Sequence, residues 1–95
     1  MNYLVIGEIT EYEEILSFSA EPNGLTFTVV INASNTATQL LNASARGDLL
    51  PLVVIATDGL TYALDNVYVS EASLGSTQDT PQMTVAFSAE AVRFV

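Results

Sequence analysis

Residues 80–95, TPQMTVAFSAEAVRFV, close the chain and decide which faces of a sheet are covered. Met83, Val85, Phe87 and Ala89 alternate with Thr84, Ala86, Ser88 and Glu90, the period-two pattern of a strand with one face in a core. Near the end the pattern slips. Val92 and Phe94 hold the apolar positions there, with Ala91, Arg93 and Val95 on the other parity. A one-residue slip turns every later side chain to the opposite face, so the strand is either bulged or bent, or covered on both faces. A small isolated sheet has little use for a strand covered on both faces.

Working outward, turn chemistry divides the rest of the chain. Asn23-Gly24 and Asp58-Gly59 each stand between apolar runs and predict antiparallel hairpins. Ahead of the first lie NYLVIGEI and YEEILSFSA, separated by a turn around Thr10 and Glu11; after it comes GLTFTVVINA, rich in the Thr, Val and Ile that strands favour. In SNTATQLLNASARGD, Ala37, Leu40, Leu41 and Ser44 fall at helical spacing. Ser34 or Asn35 can cap the start, Arg46 suits the last turn and Gly47 can take a left-handed end, which predicts one helix over 35–46. Pro51 opens LPLVVIAT, and LTYALDNVYVSEASL is long enough for one bent strand or two short ones. The segment GSTQDT, 75–80, reads as a loop ending at Pro81. No βαβ repeat is present. The predicted fold is mainly β: a small antiparallel barrel or sandwich of about six to seven strands with one short α-helix at its side.

The chain's 95 residues are expected to form one domain over 1–95. Charged residues make up 14% of it, against about 25% in typical soluble domains, and 49% are hydrophobic. That balance predicts surface that meets other protein. Eleven acids stand against Arg46 and Arg93, with no lysine, for a formal charge of -9. Two cations cannot displace the counterions of a nucleic acid or hold an anionic membrane, so no nucleic-acid partner is expected. No apolar run approaches the roughly 20 residues that span a bilayer, and MNYLVIGEITEYEE lacks a basic n-region. The reading is cytoplasmic synthesis without a signal peptide and no membrane insertion.

These elements resemble the haemolysin-coregulated proteins, the tube subunits of bacterial type VI secretion. The resemblance rests on Ile15, Phe18 and Ser19, on Arg46 and Gly47 at the helix stop, on Leu64, Val67 and Val69, and on Val85, Phe87, Ala89, Ala91 and Val92. Their order and spacing fit over most of 12–95, and the succession of motifs around a helix is more specific than any one of them. Members of that family carry an extended loop where this chain has AEPNG. The resemblance implies a structural subunit that self-assembles into hexameric rings stacked as a hollow tube, with protein cargo in the lumen and export as part of an injection apparatus. It also implies a subunit surface on the second face of the last strand, at Val92 and Phe94. Phe18, Leu40, Leu41, Val85 and Phe87 are the expected core. The reading in another class is a monomeric or dimeric β-barrel binding module for a peptide or glycan.

Chemistry is sparse. With no His, Cys or Lys, triads, thiol nucleophiles, Schiff bases and His-ligated metals are ruled out, so neither an enzyme nor a cofactor is expected. Glu13 with Glu14, and Asp58 with Asp65, could pair as carboxylates, but adjacent strand residues face opposite ways and the two aspartates lack calcium-loop spacing. Both pairs read as solvated surface. The two NAS triplets, at 32–34 and 42–44, fit the glycosylation acceptor pattern by chance. Tyr3, Tyr12, Tyr62 and Tyr68 read as barrel wall rather than a sugar-stacking or interface surface, and Thr77, Gln78 and Asp79 as an ordinary polar loop rather than a partner-recognition loop.

Overall fold

The computed structural model describes residues 2–7, 10–77 and 80–94. The order is β1 (Tyr3–Ile6), β2 (Thr10–Glu14), β3 (Ser17–Ala20), β4 (Thr26–Asn32), α1 (Asn35–Arg46), β5 (Leu49–Ala56), β6 (Thr61–Thr77) and β7 (Thr80–Phe94). All seven strands join one antiparallel sheet in the order β2-β1-β5-β6-β7-β4-β3. The mainly β class with one helix is as expected.

Among the described residues no ladder closes this sheet into a full barrel, and the reason lies in one segment. YEEILSFSA is two strands, β2 and β3, which form the opposite outer edges of the sheet while being consecutive in the chain. At the corner between them the Ile15 N–H donates to Asn2 O, beside β1, and the Leu16 N–H donates to Val30 O on β4. The two ends of the sheet are thus drawn together by a bend of the backbone. Ile15 points into the core at this point.

α1 has the expected bounds, yet its start is made differently. Ser34 is the N-cap residue, but its hydroxyl donates to Glu13 Oε1 at 3.0 Å instead of accepting from the helix. At the other end Gly47 turns left-handed at φ 69°, and the Asp48 N–H returns to Ala43 O, a Schellman closure. The buried stripe is Thr36, Ala37, Leu40 and Ala43, turned slightly from the one expected; Leu41 lies half-buried at its border. This face packs on β6.

Both hairpins form. At the first, the Glu21 N–H donates to Thr26 O, and Pro22, Asn23 and Gly24 make a turn in which Gly24 has φ 75° and donates to Glu21 O. That is a four-residue loop around a turn opened by proline, longer than a two-residue Asn-Gly connection. The described part of GSTQDT is strand where a loop was expected. Gly75, Ser76 and Thr77 pair with Gln82, Pro81 and Thr80, so the β6–β7 ribbon runs on to residue 77. Pro81 is tolerated there because its carbonyl serves as an acceptor, taking the Ala33 N–H, while no N–H is needed. Gln78 and Asp79, read as part of a polar loop, lie outside the described residues.

The slip in AVRFV belongs to the whole sheet. Along β7 the inward positions step from Phe87 and Ala89 to Val92; along β6 from Leu64 to Val67; along β5 from Leu50 to Val53. Pairing keeps its register across these steps, with Leu50 opposite Val67, Leu52 opposite Asp65, Asp65 opposite Ala91 and Val67 opposite Ala89. All three strands therefore take their extra residue at one level, along a line through Pro51, Asn66 and Glu90. Asn66 sits at φ 53° on that line, in the left-handed region that asparagine tolerates. Farther along the ribbon the register itself shifts by one between Val69 and Glu71, a bulge at Ser70.

Candidate assembly surface

The bend places the apolar residues that the core does not use. Val85, Phe87 and Leu40 are fully buried, while Phe18 and Leu41 are partly buried and pack against the core. Val92 and Phe94 diverge. Val92, opposite Leu64, is partly buried against the core, whereas Phe94 is 66% exposed. Phe94 is the outer member of an aromatic run. Its ring lies 5.3 Å from Tyr62, and Tyr62 lies 5.5 Å from both Phe18 and Phe27. Phe27 is buried, so the run leads from the core to solvent at the end of β7.

Strand pairing leaves two backbone edges open at this level among the described residues. β1 meets β5 only over Val53–Ala56, so Leu49–Leu52 has no strand beside it on that side. β4 meets β7 only as far as Ser88, with one further bond from the Ala89 N–H to Leu25 O, so Glu90–Phe94 has no strand beside it on the other. Both stretches carry apolar side chains into water. Leu49, Pro51 and Leu52 are exposed on the first, with Tyr68 exposed directly opposite Leu49. Phe94 stands on the second. Sequence reasoning found Phe94 through its parity, weighed Tyr62 and Tyr68 but set them in the barrel wall, and missed Leu49 and Leu52. The run LLPL carried a usable signal, since apolar residues on both parities around a proline mark a strand edge.

The charges flanking this surface are paired within the chain. Arg93 holds Asp65 by two hydrogen bonds, Nε–Oδ2 at 2.8 Å and Nη2–Oδ1 at 2.9 Å, from the neighbouring strand. The hydrogen bond and charge of Arg93 hold the Asp65 carboxyl below its ordinary range, and Asp65 raises the guanidinium in turn. Arg46, at the helix end, pairs with Asp48 at 2.8 Å. Both arginines of the chain thus already have carboxylate partners within it.

The other candidates are scattered. Glu13 accepts from Ser34, Asp65 serves Arg93, and no group of three metal-ligating side chains occurs among the described residues. Tyr3 stacks on Tyr12 at 5.0 Å on the outer face, while Tyr62 faces inward and Tyr68 stands opposite Leu49, so the four tyrosines do not share one platform. Asn42 is exposed on α1 and Asn32 ends β4. Among the described residues no helix is long and apolar enough to cross a membrane.

Neither a protein-family model nor a curated protein matches the sequence. Solved structures do match the fold. Hcp2 from Salmonella typhimurium superposes with a TM-score of 0.87 at 14% identity, over 99% of this chain and 84% of that one. Hcp1 from the same organism gives 0.83 at 15% identity, over 98% and 83%. A type VI secretion system effector from Yersinia pestis gives 0.81 at 12% identity, over 100% and 97%. At such identities the likeness speaks for the backbone, and on that measure this chain has the Hcp fold along nearly its whole length.

Proposed function

We propose that this chain is a structural subunit of a type VI secretion or related injection apparatus, which self-assembles into hexameric rings that stack as a hollow tube. The observation that carries the reading is the likeness to Hcp2 over 99% of the chain. The exposed edges support it. Leu49–Leu52 and Glu90–Phe94 lie on opposite sides of the same three strands, β5, β6 and β7, so one edge of each copy can meet the other edge of the next. Such head-to-tail contacts close into rings when the rotation allows it. Val92 and Phe94 lie in the proposed contact. The lumen would hold protein cargo, and the subunit would be exported as part of the apparatus. The reading assigns no catalysis to the chain.

The same edges favour one other reading, since an exposed strand edge can accept an extended peptide as an added strand in a monomeric or dimeric binding module. Size-exclusion chromatography with light scattering, followed by negative-stain microscopy, separates the two. Rings or tubes of purified protein support the subunit; a small species at every concentration and salt tested would overturn it.

A further inference from the structure

The turn at the β3–β4 hairpin holds the chain's one Asn-Gly dipeptide, and its hydrogen bonds bear directly on the known chemistry of that pair. In an Asn-Gly sequence the backbone nitrogen of the glycine, once deprotonated, can attack the asparagine side-chain carbonyl carbon. A C–N bond forms to close a five-membered succinimide, the Cγ–Nδ2 bond breaks, and ammonia leaves. Water then opens the ring to aspartate or isoaspartate. Glycine makes the step easy because no side chain hinders its nitrogen.

Two features of this turn act in opposite senses. Asn23 Oδ1 accepts the Leu25 N–H at 2.9 Å and the Thr26 N–H at 3.1 Å. Those donors polarise Cγ and would stabilise the oxyanion of an attack upon it. The attacking atom, however, is occupied: the Gly24 N–H donates to Glu21 O at 3.0 Å, inside the hydrogen-bonded turn. The leaving amide is also held, by Nδ2 to Thr26 Oγ1 at 3.2 Å. An electrophile polarised without a free nucleophile does not react, so the occupied Gly24 N–H decides the balance.

We propose that Asn23 is a modification site gated by folding: the intact turn keeps it as asparagine, and opening of the β3–β4 hairpin end commits it to aspartate or isoaspartate. β3 is a short outer strand whose one strand neighbour among the described residues is β4, which makes this end of the sheet a low-stability unit. Conversion takes the formal charge from -9 to -10, one carboxylate replacing a neutral amide. The isoaspartate form also lengthens the backbone within the turn, so the Leu25 and Thr26 N–H groups lose their shared acceptor. The proposal is independent of the tube reading.

The test follows the mass of the tryptic peptide 1–46 in protein held at mildly alkaline pH, folded in buffer and unfolded in urea. The expected result is a gain of about one mass unit in urea, with the folded protein reacting at least about tenfold more slowly, the protection given by a locally closed structure. Asn23→Ala in urea should remove the gain, since the other asparagines of that peptide precede Tyr, Ala or Thr. Isomerisation of Asp58 before Gly59 changes no mass and lies outside the peptide. Equal rates in the two states, a faster rate in the folded protein, or a gain that survives Asn23→Ala would each overturn the proposal.

Discussion

Phe87 and Phe94 are aromatic residues of one strand in opposite surroundings, and their substitution separates folding from assembly. Phe87 is fully buried between β4 and β6 partners, so Phe87→Ala should cost about 3 to 5 kcal/mol, read as a lower Tm by circular dichroism. Phe94 touches Tyr62 but is mostly in water, and its removal should cost a lone subunit less than about 1.5 kcal/mol. Phe94→Asp should therefore fold and fail to form rings, because an unpaired carboxylate is strongly disfavoured in a dry contact. Light scattering checks this, with exposed Glu71→Ala as control; rings from Phe94→Asp would place the contact elsewhere. Asp65 gives a pH test. Its carboxyl titrates below the ordinary range because of Arg93, so the contribution of the pair is complete above that range and is lost as pH falls through the lowered pKa. The Tm difference between the native protein and Asp65→Asn should thus close as pH is taken below the ordinary aspartate range. A difference that persists there would show that the pair is not its source. Asn66 is set apart by its backbone. At φ 53° Asn66→Gly should be tolerated, whereas Asn66→Ala should cost about 1 kcal/mol, measurable by urea denaturation.

The helix offers the sharpest contrast between neighbouring positions of one element. Leu40 is fully buried and Gln39 exposed, so Leu40→Ala should cost about 2 to 5 kcal/mol while Gln39→Ala leaves the Tm nearly unchanged. Equal melting points would show that α1 does not dock through Leu40. This element was legible because its signals are local: helical spacing around Leu40, and Gly47 where a left-handed end is required. The strands were legible as strands for the same reason, through alternation and turn residues. What escaped was set by partners distant in sequence. The Ile15–Leu16 corner has neither glycine nor proline, and is made by bonds to Asn2 and Val30. Gly75, Ser76, Thr77 and Thr80 looked like loop because their composition is that of loops, yet all four are paired in the β6–β7 ladder. The candidate surface was half legible. Parity exposed the slip at Val92 and Phe94, but how far β1 runs along β5, or β4 along β7, is a property of the assembled sheet. Leu49 and Leu52 had a local signal in the run LLPL, but Tyr68 could not be placed opposite that edge from its own neighbourhood.

At the scale of the whole molecule, charge governs how copies can meet. Eleven acids face two arginines, and both arginines already have carboxylate partners within the chain, so little positive charge is left with which copies could attract one another. The proposed contact must then rest on apolar side chains and backbone edges while each added copy brings -9 to a shared volume. Like charges within a Debye length, about 8 Å at physiological ionic strength, oppose that gathering, and counterions relieve it. Ring or tube yield should accordingly rise with added salt, and rise again as pH is lowered toward the acidic isoelectric point. Acidification deep enough to protonate Asp65 would also release Arg93, so the rise should be sought above that range, where Asp65 stays ionised. The measurement is the sedimentable fraction across a grid of salt and pH, with microscopy to distinguish rings from aggregate. Ion-pair contacts between copies would give the opposite trend, since salt screens attraction as readily as repulsion. Assembly strongest in dilute buffer at pH 8 would therefore show that repulsion does not limit it, and that one of the two arginines exchanges its internal partner for a neighbour's.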